Sequence, residues 1–381
     1  DSATAEITTT QPASSSTIAN LGDTGQALCK AWDAPKAPVA PGKDLLKLTL
    51  DAPNAICNDG SPAVIYIRPA EDPAKSNEWI FHLQGGGSCD GYEECRIRWC
   101  GEENYDAAKM SSRWTPDGIQ GHGIFSDSPE NSFAGANQVF LYYCSSDTWA
   151  GQKSDSVVTN RDDPSQQYTL HFQGHTIVEA TMQILREGAV SDDGKYTMPT
   201  LNDATDILFT GTSGGSAGVT NNIDWLASQI DAARTTLHAV MDANFPPDGT
   251  DYSDEQVRNN FSLYTDYRWN NGYQQLYGAF NDQSCLAALG NTPQVGNCGN
   301  MNYLISNHIT TPFFVRQDLQ DPVVSNGAIA LGSNMREYSQ LTNGALLALP
   351  NLSSTAAETA SIHFTPGVYG PNCRQHVALL S

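Results

Sequence analysis

Between the apolar run Asp206-Ile-Leu-Phe-Thr210 and a helical stretch that starts near Ser216 lies Gly211-Thr-Ser213-Gly-Gly215. This is G-x-S-x-G set between a strand and a helix, a context that forces the chain through a sharp strained turn. Glycines permit that reversal because they carry no Cβ to clash, and the serine hydroxyl then projects from the strand end. The helix N-terminus behind it presents oriented N–H groups where a negative charge could develop. A Gly/Ser-rich turn without chemistry is the plain alternative. The flanking strand and helix favour Ser213 as a nucleophile.

Other apolar runs fit the same architecture. WIFHL (79–83), QVFLYY (138–143), LHAVM (237–241) and PFFV (312–315) are short and continuous, as strands buried on both faces require. KLTLDA (47–52) and AVIYIRPA (63–70) read as two further strands around a turn-rich segment. In the stretch from His175 to Gly188, Ile177, Val178, Ile184 and Leu185 share one helical face. Val219, Ile223, Leu226 and Ile230 do the same between Ser216 and Ala233. Strand–helix alternation predicts an α/β fold, α/β-hydrolase-like, with a mostly parallel central sheet and helices on both faces. Residues 1–28 read as a flexible Ser/Thr-rich lead and residues 29–381 as a single domain. No repeat of solenoid length is apparent.

The net charge of −22, from 42 acidic and 20 basic residues, excludes nucleic acid and anionic membranes as natural partners. No apolar run is long enough to span a bilayer as a helix. The first residue is Asp1 rather than Met, the start expected of a mature chain after removal of a signal peptide. Nine cysteines occur without the paired C-x₂-C spacing of a zinc ribbon. Cys89, Cys95 and Cys100 crowd one loop, which fits disulfides in an oxidising compartment and a secreted protein. The odd total leaves at least one thiol over.

A serine nucleophile needs a base, an orienting carboxylate and an oxyanion site. Gln84-Gly-Gly-Gly-Ser88 follows the strand WIFHL, where this fold places the second set of oxyanion donors. Gly86 and Gly87 are the expected donors from that loop, and Gly214 is the donor after the nucleophile. The chain order Ser…Asp…His leaves His308, His363 and His376 as candidate bases. It leaves Asp318 and Asp321, just past PFFV, as candidate acids. Spacing alone does not choose among them.

Several stretches carry a wider resemblance. FHLQGGGSC, YYCSSDTWAG, FQGHTIVEA, FTGTSGGSAGVTNNIDWL, MDANF, TTPFFVRQDLQD and the C-terminal CRQH make the chain resemble the pectin acetylesterase / Notum family of serine esterases. The resemblance covers nearly everything after about residue 45. It implies Ser213 as nucleophile, Asp321 as the acid and His376 as the base. It also implies the disulfides Cys57–Cys144, Cys89–Cys95 and Cys285–Cys298, hence long bridged loops. Three departures from the family pattern bear on substrate rather than reaction: Ser88 where Trp is usual, Gln173 within FQG, and Asn244 within DANF.

Other signals point to ordinary structure. His171 and His175 stand at i, i+4, yet Gln173-Gly174 between them reads as a helix start rather than one metal-binding helix. Asp248, Asp251, Asp254 and Glu255 read as a solvated acidic loop. Of Trp114, Trp149 and Trp269, Trp149 is the one expected with Ser88 in substrate binding, because it follows a strand end. Asn260 and Asn351 sit in glycosylation sequons. The implied function is removal of O-acetyl groups from pectin or xylan by a secreted esterase. It would act as a monomer on a polysaccharide or small ester, with no cofactor and no metal. The alternatives are a carboxylesterase for longer acyl esters or aliphatic polyesters, and a non-catalytic module that keeps the fold.

Overall fold

Each apolar run read as a buried strand forms one. The structure is a computed structural model that describes residues 19–24, 28–29, 39–352 and 364–380. The sheet strands are β1 (Pro41–Thr49), β2 (Val64–Arg68), β3 (Glu78–Leu83), β4 (Gly118–Ile119), β5 (Asn137–Leu141), β6 (Asp206–Thr212), β7 (Thr236–Asp242), β8 (Phe313–Arg316) and β9 (Gly367–Tyr369). Their order across the sheet is β9-β8-β7-β6-β3-β5-β2-β1-β4. Every pairing from β9 to β5 is parallel, and β2, β1 and β4 close the sheet antiparallel. The mostly parallel sheet is therefore present.

The core lies along its central strands. Ile65, Ile67, Phe81, Val139, Leu141, Phe209 and Val315 are all 0% exposed. Burial of each such side chain stabilises the fold by about 1.5–3 kcal/mol relative to exposure. The helices α1 (Tyr92–Cys100), α2 (Gly174–Glu187) and α3 (Gly214–Ser228) follow β3, the Gln167–Phe172 strand and β6. α2 buries Ile177, Val178 and Leu185, the face its periodicity defines, and α3 buries Val219, Ile223 and Leu226. α3 stops at Ser228 rather than continuing to Ala233. The Asp231 carboxylate accepts the Ala233 amide at 3.1 Å, and this local turn competes with the helix.

Lys153–Thr159 and Gln167–Phe172 form a two-stranded antiparallel ribbon outside the main sheet. Helix Glu255–Tyr267 continues into a π-helical segment, Arg268–Tyr277. Four disulfides brace the loops. Cys57–Cys144, Cys89–Cys95 and Cys285–Cys298 are the implied pairs, and Cys29–Cys100 adds a fourth. Cys373 is the free, exposed thiol among the described residues. Residues 1–18 of the Ser/Thr-rich lead lie outside the described residues. Further along, Asn20 bridges to Thr169, and Leu21 is fully buried.

Candidate active site

The parallel register brings three strand ends together. Thr212 pairs with Asp242, and Asp242 pairs with Arg316. β6, β7 and β8 thus deliver Ser213, Asp242 and the loop carrying Asp321 to one edge of the sheet.

Ser213 sits at the N-cap of α3 with φ 55° and ψ −121°. Such a backbone costs on the order of 1–3 kcal/mol and persists only where its surroundings hold it. The motif glycines make it feasible. A Cβ on Gly211 would lie 2.2 Å from the Gly215 carbonyl oxygen, and one on Gly215 would lie 1.9 Å from the Leu83 carbonyl oxygen. No other residue fits at either position. The Ser213 amide donates to the Asp242 carbonyl at 2.8 Å.

The glycine loop packs directly on this turn. A Cβ on Gly85 would fall 2.9 Å from Ser213 Cβ. A Cβ on Gly214 would fall 3.3 Å from the Gly87 nitrogen and 3.5 Å from the Gly86 nitrogen. The three residues expected to serve an oxyanion are therefore adjacent. Gly87 has φ 69°, where glycine alone is at ease. Ser88 follows it, partly exposed beside a polar cavity shared with Asp90, Glu94 and Tyr105.

Several contacts hold the loop. Tyr143 donates its hydroxyl to the Gly87 carbonyl at 2.8 Å, the Cys89 amide donates to Ser146, and Ser88 bridges to Asp147. The buried Asp147 carboxylate accepts the Ser145 hydroxyl and the amides of Trp149, Gly151 and Gly174. Those bonds fix a loop in which Ser146, Thr148 and Trp149 all have positive φ. Trp149 does not line a substrate surface, contrary to expectation. It is 0% exposed, its indole donates to the Gln84 carbonyl at 3.1 Å, and its ring packs where a Cβ on Gly218 would stand. The left-handed backbone at Trp149 turns the indole inward, so it props the glycine loop from below.

Asp321 is fully buried at the N-cap of helix Pro322–Ala330. One oxygen accepts the amides of Val323 and Val324, and the other accepts the Gln317 side chain. His376 Nδ1 lies 2.8 Å and 3.0 Å from the two Asp321 oxygens. A neutral imidazole that donates from Nδ1 keeps Nε2 as its acceptor, the form a general base requires. Asp318 is spent elsewhere: it is buried against Arg316, which also binds Asp242. Burial raises the Asp318 carboxyl above the usual range, and Arg316 opposes that shift. His308 bonds to Ser284, and His363 lies outside the described residues.

Sequence reasoning gave Asp242 no role, yet its carboxylate is fully buried beneath the C-terminal segment. It accepts the amides of Ala378 at 2.7 Å and Leu379 at 3.1 Å, two and three residues past His376. Val377, between His376 and Ala378, has φ 61°, an outlier for a β-branched residue. Asp242 therefore ties the His376 segment to the strand end that holds Ser213. No hydrogen bond reaches the Ser213 hydroxyl among the described residues, and such bonds commonly tighten only when substrate is present. Asn244 does line a cavity, of about 140 Å³, together with Thr148, Ala217, Pro246, Trp269 and Met301. Gln173 is buried and bonds to Ser154.

The discounted signals have structural partners. His171 bonds to Asn20 and to the Asp155 amide, and His175 bonds to Asn222 and stacks on Phe280. Asp254 caps helix Glu255–Tyr267, and Asp248 caps the turn before it.

Comparisons with known proteins agree with this architecture. The family model described as Pectinacetylesterase matches residues 43–379. The human palmitoleoyl-protein carboxylesterase NOTUM is 34% identical over 180 residues, which are 46% of this chain and 30% of that protein. The Drosophila melanogaster protein of the same name is 26% identical over 345 residues, 88% of this chain and 45% of its own length. The chain thus spans less than half the length of these curated relatives. A crystal structure of the Wnt deacylase Notum from Drosophila superposes with a TM-score of 0.66 at 22% identity, covering 89% of this chain and 87% of that one. That likeness is one of fold.

Proposed function

The chain belongs to the pectinacetylesterase family, and on that basis we propose that it is a secreted serine carboxylic-ester hydrolase removing O-acetyl groups from a plant-wall polysaccharide, pectin or xylan. The observation that carries the reading is the Asp321–His376 pair, held at the sheet edge where the strained Ser213 meets the glycine loop. His376 takes the Ser213 proton as the serine oxygen attacks the ester carbonyl. The amides of Gly86, Gly87 and Gly214 stabilise the resulting oxyanion. The bond between the acyl carbon and the sugar oxygen breaks, and His376 returns the proton to the leaving alcohol. Water, deprotonated by His376, then cleaves the acyl-serine and releases acetate. Each oxyanion donor of this kind is worth about 3–4 kcal/mol of transition-state stabilisation in a comparable enzyme. Four disulfides are consistent with an extracellular location, and no helix among the described residues is long and apolar enough to cross a membrane.

The small cavity beside Ala217, one helical turn beyond Ser213, supports a short acyl group. Its volume of about 140 Å³ is well below the ~300–1,000 Å³ of sites that enclose larger ligands. A second reading, longer acyl esters, draws on the apolar residues Pro246, Trp269 and Met301 in that cavity and on the palmitoleoyl-ester activity for which the relatives are named. A p-nitrophenyl ester series separates the two: a sharp preference for acetate supports deacetylation, and an optimum at C4–C8 overturns it. Acetate release from acetylated xylan, acetylated pectin and a simple polyester then identifies the alcohol side.

A further inference from the structure

Packed against the glycine loop lie two cations that the mechanism above does not use. Arg98 on α1 is 1% exposed. Its Nε donates to the Ser146 hydroxyl at 2.8 Å, while Nη1 and Nη2 have no hydrogen-bond partner among the described residues. Both face the loop. A Cβ on Gly86 would lie 3.5 Å from Nη2, and one on Gly87 would lie 3.7 Å from Nη1. The rings of Tyr105 and Tyr143 flank the guanidinium at 5.5 and 5.9 Å. Lys109 comes from the next turn of chain. Its Nζ is 3.5 Å from the Gly85 carbonyl oxygen, and its Cδ would touch a Cβ on Gly86 at the same distance.

A buried charge is ordinarily paired, because desolvation without compensation is costly. In a chain with 42 acidic side chains, no carboxylate bonds to this guanidinium among the described residues. A carboxylate there would cancel the positive potential on the loop amides. Left uncancelled, that potential is available to a negative charge arising at the loop, which is the arrangement of preorganised electrostatic catalysis.

We propose that Arg98 and Lys109 form a cationic pair against Gly85–Gly87 that stabilises the oxyanion of the tetrahedral intermediate through the peptide units of the loop. The inference rests on Ser213 being the nucleophile and on Gly86 and Gly87 facing the oxyanion. Both cations act through the loop and touch no substrate, so they are positioning residues in the electrostatic sense. The effect falls on kcat, since the charge it opposes exists only after attack.

Lys109 makes the idea testable by pH. The charged groups that act on it are Arg98 from α1 and Asp106 from its own turn, and Tyr143 from the loop after β5 borders the same glycine, Gly86. Burial and the Arg98 charge bring the Lys109 ammonium down to about 7, with Asp106 opposing. The charge is present below that pH and lost above it. Arg98 keeps its charge throughout.

The experiment measures kcat and KM for p-nitrophenyl acetate from pH 6 to 9 in wild type, Lys109→Met, Lys109→Arg and Ser213→Ala, with melting temperatures to verify folding. Lys109→Met is expected to lower kcat about tenfold or more at pH 6 while KM stays within about threefold, as loss of a purely transition-state interaction requires. Wild-type kcat is expected to fall above pH 7, and Lys109→Arg is expected to retain activity at pH 6 and to lose that fall. Wild-type kcat in a folded Lys109→Met, or an alkaline fall that persists in Lys109→Arg, overturns the proposal while an inactive Ser213→Ala leaves the esterase reading standing. Full activity in Ser213→Ala overturns both.

Discussion

Asp242 holds Ser213 by its main chain and the His376 segment by its side chain. Its carbonyl accepts the Ser213 amide at 2.8 Å, and one carboxylate oxygen accepts the amides of Ala378 and Leu379. The other oxygen accepts Arg316 Nη1 at 2.9 Å. One buried residue thus couples the turn at Ser213 to the segment that carries His376. Asp242→Ala is expected to lower kcat about a hundredfold with little change in KM, the scale of effect that a small misplacement of catalytic groups produces. Labelling of Ser213 by an organophosphonate would slow in parallel. A folded variant with wild-type kcat would show that the C-terminal segment is held by other contacts.

Removal of the proposed nucleophile gives the sharpest outcome. Ser213→Ala is expected to lose at least about a thousandfold in turnover, by analogy with triad deletions. Its fold should be intact, because the Ser213 hydroxyl has no hydrogen bond among the described residues to lose. Turnover within tenfold of wild type, measured on p-nitrophenyl acetate, rules out the assignment.

Gly87 tests the oxyanion loop through its backbone. With φ 69°, an alanine there meets a left-handed strain of about 1–2 kcal/mol although its methyl has room, 3.7 Å from the nearest atom. The expected response is a rotation of the Gly87 peptide unit that withdraws its amide from the oxyanion. Gly87→Ala should therefore lose about tenfold or more in kcat. Unchanged kcat with a lowered melting temperature would place the oxyanion donors elsewhere.

The parts of the fold visible in the sequence are those where burial on both faces leaves a continuous apolar run. DILFT and LHAVM became β6 and β7 for that reason. β4 and β9 contain two and three residues, too few for any period to register. The Lys153–Thr159 strand escaped because it is polar and half-exposed, and the π-helical segment Arg268–Tyr277 because its polar residues outnumber its apolar ones. In the site, Ser213 was legible because the turn demands glycines. The choice between Asp318 and Asp321 was not. Arg316 and Asp318 stand two apart at a strand end and pair with each other, which leaves Asp321 to the imidazole. Asp242 carried no local signal, since its partners lie 136 and 137 residues away.

His82 gives a pH dependence of stability. It is fully buried on β3, stacked on Phe140, with Nδ1 2.8 Å from the Thr210 hydroxyl. Burial lowers its pKa from 6.5 to about 3. The unfolded chain therefore takes up a proton below pH 6.5 that the folded protein refuses, and stability falls as pH drops from 6.5 towards 3. The slope is at most about 1.4 kcal/mol per pH unit. His82→Phe removes this titration, and Thr210 still donates to the Phe81 carbonyl. The melting temperature of wild type should fall more steeply than that of the variant between pH 6.5 and 4.5. Parallel curves would mean that the imidazole accepts a proton in the folded state.

Surface charge distinguishes the two polysaccharides. A net charge of −22 repels the carboxylates of pectin and is indifferent to neutral xylan. Added salt contracts the range of that repulsion, from about 30 Å at 0.01 M to about 8 Å at 0.15 M ionic strength. The repulsion acts on encounter and binding rather than on the acyl-transfer step, so it appears in KM. Over that range of salt, KM for acetylated pectin should fall severalfold while KM for acetylated xylan stays constant and kcat changes for neither. An equal response to salt for both substrates would mean that the acidic surface lies away from the path of the glycan. A rise in KM for pectin with salt would mean that cations line that path despite the overall charge.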